Sequence, residues 1–306
     1  MDHPQGMMDN VLARLSTDLE SAVERASQST VTVYGRRRLP GTGVIWSQDG
    51  WVVTANHIVE RDEEIEVGLP DGRRVPATLR GRDPGSDLAL LSVEGIIGSP
   101  VTRSGRDPRP GQLVLAIGRP GETGAMASFG IVNAVGGRRS AADAPGESVL
   151  RSDVAMLPGF SGGPLVDAEG AMIGLNTSML DRSGGVTILN AWIDQVVGTL
   201  REHGKVRQAY LGIGAQSVAL PPTLRGTGED DPARGLLVVG VEPAGPAEHS
   251  GVMLGDLVLA IAGTPVQDVE DLQRSLRDHG VGDQATLDLI RGGERQSVTM
   301  TIGERP

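Results

Sequence analysis

The sequence predicts a mainly β protein built from two units, and three observations support this prediction. The 306 residues include 44 glycines and 19 prolines, which suit turn-rich β structure better than a helical bundle. Short apolar runs recur between Gly, Pro and Asp turns over most of the chain, a spacing typical of barrels or sandwiches. The length suggests about two domains.

The N-terminal segment 1–27 is predicted to be a tail followed by one helix over about residues 9–27. Asp9 or Asn10 is the expected cap. We expect the helix to dock on the body of the protein, because its apolar residues fall on one face: Val11, Leu12, Leu15, Leu19 and Val23.

The first large unit is predicted over residues 28–204. A helix from Ala191 to His203, ended by Gly204, closes it. Its expected strands are short and separated by turns: Val31–Tyr34, Gly43–Trp46, Trp51–Thr54, Glu64–Val67, Leu88–Ser92, Leu113–Ile117, Phe129–Val132, Ala171–Leu175 and Val186–Leu189.

A polar linker over residues 205–209 is expected to precede a second unit over 210–306. A helix from Val269 to Arg277 separates the expected strands, and the acidic run at residues 229–231 is read as solvated surface. The strands of this unit are predicted at Leu236–Val241, Gly255–Ile261, Ala285–Ile290 and Gln296–Ile302.

The composition limits which partners and which cellular compartment are expected for the protein. A net charge of −11 without a basic block argues against nucleic acid as a partner. No apolar run is long enough to span a bilayer, and the first residues lack the pattern of a secretory signal. We therefore expect a cytoplasmic protein, or a protein of the bacterial cell envelope or periplasm if an export segment is missing from this chain.

Ser161 lies in the most informative stretch, Gly159–Leu165. Alone, this stretch reads equally well as a glycine-rich turn or as a nucleophile beside two oxyanion donors. His57 ends an apolar run, and Asp87 begins another. The order His57, Asp87, Ser161 is that of chymotrypsin-type enzymes, which favours the nucleophile.

No cofactor or metal is expected. The chain has no cysteine, and no His-Glu-x-x-His or EF-hand spacing occurs. His203, His249 and His279 each end a helix-like run, where a cation suits the helix C-terminus.

From about Leu15 to Gly303, the chain resembles the HtrA/Deg family of serine proteases. The resemblance implies a chymotrypsin-like double β-barrel followed by a PDZ domain. It is carried by matching motifs at Gly41–Ile45, Thr54–His57, Ser86–Leu90, Ala116–Gly118, Gly130–Val132, Ser152–Asp153, Pro158–Gly159, Ser161–Leu165, Gly174–Thr177, Tyr210–Ile213, Val241–Pro243, Pro246–Ala247, Gly251–Val252 and Gly255–Asp256.

The resemblance implies a serine endopeptidase that degrades unfolded or damaged proteins, a role in protein quality control and the stress response. Ser161 would attack the carbonyl, His57 would transfer protons and Asp87 would orient the imidazole. The N–H groups of Gly159 and Ser161 would form the oxyanion hole.

The resemblance also implies where peptides bind. At the protease, the expected substrate-binding residues are uncharged and favour small or medium apolar P1 side chains: Ala155, Thr177, Ser178, Met179 and Gly185. At the PDZ domain, peptide C-termini are expected to bind a carboxylate loop and one helix face: Leu211, Gly212 and Ile213, with Val269, Leu272 and Leu276. These three helix residues also suit a purely structural core.

The chain departs from the family pattern in three places, and the first of them leaves a second hypothesis open. Phe160 replaces the usual Asn and could distort the Gly159 amide. Arg119-Pro120-Gly121 replaces the family's Asn-Pro-Phe-Gly loop. Family trimers depend on N-terminal aromatic residues, and none precedes Tyr34, so a trimer lacks support and the homo-oligomeric state stays open. The alternative function is a catalytically weak or inactive chaperone or adaptor with a PDZ domain.

Overall fold

The computed structural model describes residues 5–95, 98–121, 124–136, 149–180, 185–205, 209–221, 223–224, 233–277 and 279–304. The chain packs as two compact units, residues 1–206 and 207–306. Most of the predicted linker and of the acidic run lies outside the described residues. The boundaries 28–204 and 210–306 stay predictions. Among the described residues, no helix is long and apolar enough to cross a membrane.

The first unit contains two closed antiparallel barrels of six strands each. The first barrel has the order β1-β2-β3-β6-β5-β4. Its strands are β1 Thr30–Tyr34, β2 Gly41–Ile45, β3 Trp51–Ala55, β4 Ile65–Gly68, β5 Arg74–Asp83 and β6 Leu88–Ser92.

The second barrel has the order β10-β11-β12-β9-β8-β7. Its strands are β7 Leu113–Gly118, β8 Met126–Val135, β9 Val149–Ser152, β10 Pro164–Asp167, β11 Met172–Thr177 and β12 Val186–Leu189. The double β-barrel predicted from the sequence is therefore confirmed.

Strands that read as continuous apolar runs are buried on both faces. In β6, Ala89 and Leu91 point into the first barrel, whereas Leu88 and Leu90 join a cluster that also holds residues of the second barrel. Successive side chains of a strand point to opposite faces, so a strand with both faces covered needs apolar residues at every position. This cluster packs the two barrels against each other.

Two helices cover the shared cluster. Helix α1, Gln5–Ser27, begins one turn earlier than predicted and contributes the buried Ala22 and Ala26. Helix α2, Asn190–His203, contributes one apolar face, and Gly204 ends it in the left-handed conformation with φ of +74°. The expected docking of the N-terminal helix is confirmed for its C-terminal half, where Leu19 and Val23 pack against the cluster. The rest of the predicted apolar face does not dock, because its residues are exposed: Val11, Leu12 and Leu15.

The second unit has a two-stranded and a larger sheet with one long helix. The strands are β13 Ala209–Tyr210, β14 Ile213–Ala219, β15 Arg234–Val241, β16 Leu257–Ile261, β17 Thr264–Pro265, β18 Gln284–Arg291, β19 Glu294–Thr301 and β20 Gly303–Glu304. The helices are α3 Pro246–His249 and α4 Val269–Arg277.

A buried ion pair holds the turn before β16 to the end of β18. Asp256, 1% exposed, accepts two hydrogen bonds from the Arg291 guanidinium at 2.6 and 2.8 Å. Burial alone would raise the pKa of Asp256, but the hydrogen bonds from Arg291 and from the Met253 N–H outweigh it and lower that pKa. The carboxylate therefore stays charged inside the unit.

The two phenylalanines of the chain test the packing of the second barrel. Phe160 is fully buried in its interior, whereas Phe129 on β8 is 48% exposed. We expect Phe160→Ala to lower the free energy of unfolding by about 3–5 kcal/mol, since it leaves a cavity. Phe129→Ala, the matched control, should cost less than about 1 kcal/mol. Urea unfolding measures both, and equal losses would contradict the described position of Phe160.

Candidate active site

Asp87 lies at the end of the turn between β5 and β6. Its φ of +56° is in the left-handed region, which Asp tolerates better than most residues. The turn is held from within, because the buried Asp83 accepts hydrogen bonds from the Ser86 hydroxyl and the Gly85 N–H. Its geometry directs the Asp87 carboxylate toward the end of β3.

His57 sits in a single 3₁₀ turn that follows β3 directly. Its backbone N–H donates to Asp87 Oδ1 at 2.9 Å, and its ring Nδ1 lies 2.7 Å from Asp87 Oδ2. An ionised carboxylate can only accept, so Nδ1 carries the hydrogen and Nε2 keeps a free lone pair. This arrangement leaves the outer ring nitrogen able to take a proton.

Thr177 supplies a third donor to Asp87. Its hydroxyl donates to Asp87 Oδ2, and the whole residue is buried at the end of β11. The sequence predicted Thr177 as a substrate contact, but its side chain is directed at the carboxylate. Asp87 is only 3% exposed, so these three hydrogen bonds compensate for the loss of water around a buried charge.

The loop 159–163 packs so closely on β2 of the first barrel and β7 of the second that only glycine fits at two positions. A Cβ at Gly162 would lie 1.9 Å from the Thr42 carbonyl oxygen, and one at Gly163 would lie 2.1 Å from the Ile117 carbonyl oxygen. Gly159 and Gly162 also have φ values of +85° and +86°. The glycines next to Ser161 are therefore required by close packing as well as by backbone conformation.

Three consecutive peptide planes of this loop are held by hydrogen bonds. In the first plane, the Gly159 carbonyl accepts a hydrogen bond from the Thr42 hydroxyl, and the Phe160 N–H donates to the Leu157 carbonyl. In the second plane, the Phe160 carbonyl accepts a hydrogen bond from the Gly163 N–H at 2.9 Å. In the third plane, the Ser161 carbonyl accepts a hydrogen bond from the Thr42 N–H at 3.0 Å.

The two amides predicted to bind an oxyanion remain available. Within the described ranges, the N–H groups of Gly159 and Ser161 have no hydrogen-bond acceptor. Buried or half-buried N–H groups are nearly always paired, so these two free donors on either side of Phe160 stand out among the described residues.

The Ser161 hydroxyl makes its hydrogen bond to Ser178 in this structure. The two Oγ atoms are 3.2 Å apart, and the described residues show no hydrogen bond between Ser161 and His57. Catalytic hydrogen bonds are often long or absent without substrate.

Phe160 does not face the oxyanion position. Its ring fills the interior of the second barrel among Val114, Leu150 and Leu165, and a Cβ at Gly118 would lie 2.3 Å from the ring. Gly118 thus makes room for the bulky side chain. The distortion that the sequence raised for Phe160 is avoided because the ring points inward and the backbone follows the hydrogen bonds above.

The other predicted substrate contacts differ in their surroundings. Ala155 and Met179 are exposed, and the Ala155 carbonyl accepts a hydrogen bond from Ser128 at 2.8 Å. A Cβ at Gly185 would lie 2.2 Å from Met156 Cγ. Met156, which the sequence did not single out, therefore packs where Gly185 leaves room. In the sequence, Met156 could be noticed only as an apolar residue five positions before Ser161.

In the second unit, the predicted carboxylate loop precedes β14. Gly212 has φ of +78°, and the Leu211 and Gly212 carbonyls accept hydrogen bonds from Ala247 and Glu242. Strand β14 lies at the edge of its sheet, next to β15. Leu272 and Leu276 are buried in the core of this unit, whereas Val269 is 38% exposed.

Together, the double barrel, the hydrogen-bonded His57–Asp87 pair and the serine loop define a trypsin-like serine peptidase, followed by a PDZ-like unit. The family of the trypsin-like peptidase domain matches residues 41–175, and the family of the PDZ domain matches residues 209–302.

Relatives give the same assignment. The chain is 38% identical over 276 residues to a probable periplasmic serine endoprotease, DegP-like, of Ectopseudomonas mendocina. It is 37% identical over 273 residues to a protein of the same description in Pseudomonas putida. Each alignment covers 87% of this chain and 56% of the relative, so the chain spans a little over half the length of these curated relatives.

Solved structures match over nearly the whole chain. The serine endoprotease from Yersinia pestis has a TM-score of 0.78 at 30% identity, covering 94% of this chain and 98% of that one. The HtrA-type protease AlgW with a tripeptide has a TM-score of 0.73 at 33% identity, covering 94% and 97%. The chain belongs to the HtrA-type family of serine proteases.

The expectation of a cytoplasmic location is wrong. Relatives that align with 87% or more of this chain are named periplasmic endoproteases in Ectopseudomonas, Pseudomonas and Halomonas. The first residues of the sequence were a poor guide to the compartment.

The close approach at Gly162 can be tested with one methyl group. Gly162→Ala adds overlap with the Thr42 carbonyl to a left-handed backbone, and displacing Ser161 by about 1 Å should lower peptidase activity by roughly 100-fold. Gly72→Ala is the matched control, because Gly72 has φ of +88° with no atom near its Cβ position.

The control should lose only about 1–2 kcal/mol of unfolding free energy and keep its activity. Chemical unfolding and a peptidase assay on both variants make the comparison. Wild-type activity in Gly162→Ala would show that the loop does not approach Thr42 as described.

Proposed function

We propose that this protein is a serine endopeptidase that hydrolyses peptide bonds in unfolded or damaged proteins. The observation that carries the proposal is the buried Asp87, which accepts hydrogen bonds from His57 and Thr177 next to the loop of Ser161. This arrangement fits a base, its orienting carboxylate and a nucleophile. Membership of the HtrA-type family and the trypsin-like peptidase match support the same activity.

The proposed reaction begins when a substrate carbonyl lies beside Ser161. The hydroxyl leaves Ser178, its Oγ attacks the carbonyl carbon, and its proton passes to His57 Nε2. The oxyanion is stabilised by the N–H groups of Gly159 and Ser161. His57 then gives the proton to the leaving amine, and the carbon–nitrogen bond breaks to leave an acyl-enzyme. Water, activated by the same imidazole, releases the second product.

Asp87 has an electrostatic role in this scheme. When His57 becomes an imidazolium, the carboxylate faces the new positive charge at 2.7 Å in a buried setting, where the attraction is stronger than in water. The Thr177 hydroxyl and the His57 backbone N–H hold the carboxylate in place beside the ring. The acid therefore orients and stabilises the base.

We further propose small or medium apolar residues for the P1 position of the substrate. Ala155, Met156 and Gly185 are uncharged, and Met156 occupies the space that Gly185 leaves. Asp153, the nearby acid, is bonded to the Ile131 N–H at 2.6 Å and supports β8 instead. Among the described residues, these side chains offer no carboxylate to a basic P1 side chain.

For the second unit, residues 210–306, we propose capture of peptide C-termini. A peptide would add a strand to the edge of β14 beside α4, and its carboxylate would meet the N–H groups of Leu211, Gly212 and Ile213. The Leu211 and Gly212 N–H groups have no backbone acceptor among the described residues. Val269 is the helix residue most open to a bound side chain, since Leu272 and Leu276 fill the core.

The periplasmic relatives support a place in the bacterial cell envelope, with a role in protein quality control and the stress response. The catalytic domain is proposed to span residues 28–204.

Covalent labelling of the nucleophile tests the proposed activity. A fluorophosphonate should label wild-type protein at Ser161, and an unfolded protein such as casein should be cleaved. Ser161→Ala should abolish both while its thermal unfolding stays unchanged, because one hydroxyl is removed from a small side chain. Ser178→Ala is the matched control and should still be labelled.

Two results would contradict the proposal. Cleavage by Ser161→Ala at the wild-type rate would place the nucleophile elsewhere. Wild-type protein that is folded yet never labelled, but still binds peptides, would favour the alternative chaperone or adaptor.

A further inference from the structure

Thr42, on β2 of the first barrel, makes two hydrogen bonds to the loop 159–163. Its backbone N–H donates to the Ser161 carbonyl at 3.0 Å, and its hydroxyl donates to the Gly159 carbonyl at 2.6 Å. Thr42 is fully buried, so water does not compete for either bond. One residue of the first barrel thus holds a loop that belongs to the second.

The hydroxyl bond bears on the amides proposed to stabilise the oxyanion. The peptide plane between Gly159 and Phe160 lies between the two N–H groups. Gly159 has no Cβ, so its own side chain does not hinder a reversal of that plane. A reversal would break the bond from Thr42 and turn the Gly159 carbonyl away from its present direction. The Thr42 hydroxyl therefore fixes the orientation of the peptide plane that links the two donor amides.

Arg119 directs the Thr42 hydroxyl. Its backbone N–H donates to Thr42 Oγ1 at 2.8 Å, which occupies the oxygen as an acceptor and leaves its hydrogen for the Gly159 carbonyl. The next residue, Pro120, packs against Gly159, where a Cβ would lie 2.4 Å from the Pro120 Cβ. Arg119 and Pro120 therefore border the same peptide plane from two directions.

The Arg119 side chain reaches the end of α1. Its Nε donates to the Thr30 carbonyl at 2.9 Å, and an Nη donates to the carbonyl of Ser27, the last helical residue, at 3.2 Å. A cation at a helix C-terminus is stabilised by the helix dipole. In the described part of the chain, Arg119 has no carboxylate partner, so these backbone carbonyls are what holds the guanidinium.

We propose that Thr42 is a positioning residue for the oxyanion amides, and that Arg119 couples it to the C-terminal end of α1. Neither residue touches substrate. The inference rests on the proposed peptidase function and adds a path by which the docking of α1 stabilises the reactive geometry of Gly159. The two hydrogen bonds of the Thr42 hydroxyl are the central link in that path.

Thr42→Val, Thr42→Ser and Thr32→Val test the role of the hydroxyl. Thr32 is the buried cross-strand partner of Thr42, and its own hydroxyl bonds to no described residue, which makes it the matched control. We expect Thr42→Val to lower kcat about 10-fold with KM within twofold, since loosening a donor costs part of the roughly 100-fold loss caused by removing one. Thr42→Ser should restore kcat to within about threefold.

The readouts are peptide hydrolysis and the rate of fluorophosphonate labelling, which should fall with kcat. A wild-type kcat in Thr42→Val would overturn the inference, as would an equal loss in Thr32→Val. If Thr42→Val does not fold, Thr42→Ala takes its place, because it removes the hydroxyl without adding a methyl group in its position.

The coupling through Arg119 is tested in two backgrounds. Arg119→Met keeps the backbone N–H and most of the side-chain length but loses the guanidinium. It should lower kcat about threefold in wild-type protein and leave it unchanged in Thr42→Val, because it acts through that hydroxyl. The same loss in both backgrounds would overturn the coupling.

Failure of this inference differs from failure of the proposed function. If wild-type protein is labelled at Ser161 and Thr42→Val is equally fast, the peptidase assignment stands and only the role of Thr42 is overturned. If wild-type protein is never labelled, the proposed function fails before Thr42 is tested.

Discussion

The contact between the loop 159–163 and strand β2 is the constraint on which the rest of the site depends. Carbonyl and amide groups of the two barrels meet there at hydrogen-bond distance, and a Cβ at Gly162 would lie 1.9 Å from the Thr42 carbonyl oxygen. Backbones can approach this closely only where side chains are absent. The glycines therefore let one barrel determine the conformation of a loop that belongs to the other.

The buried carboxylate imposes a second requirement. Asp87 and His57 belong to the first barrel, whereas Thr177, which also bonds to Asp87, comes from the second. An unpaired charge in such a place would be costly, so each oxygen of Asp87 has a donor within reach. The same hydrogen bonds fix which nitrogen of His57 is free. Stability of the fold and readiness of the base thus follow from one set of contacts.

Apolar runs and turn residues allowed much of the fold to be predicted. Leu88–Ser92 and Val186–Leu189 have the predicted bounds because their residues are apolar and end at turns. Strand β5 was missed because its exposed alternate residues are Arg74, Pro76, Thr78 and Arg80, so the segment reads as a loop. Strand β10 was missed because it begins at Pro164, inside a motif interpreted for its chemistry.

The site was predictable in its residues and less so in its contacts. His57, Asp87 and Ser161 stood in recognisable motifs, but nothing local showed that Thr177 faces Asp87 or that Phe160 fits against Gly118. The directions of these two side chains depend on how strands that are distant in the sequence pair with each other. Thr42 was missed for the same reason, since a threonine in an apolar strand has no visible partner in the sequence.

The most direct test of the account is a crystal structure of the protein after phosphonylation of Ser161 by a peptidyl fluorophosphonate. The phosphonyl oxygen should lie about 2.7–3.1 Å from the amide nitrogens of both Gly159 and Ser161, with the Thr42 hydroxyl still bonded to the Gly159 carbonyl. A phosphonyl oxygen directed into solvent, or a Gly159 carbonyl turned into its place, would contradict the account.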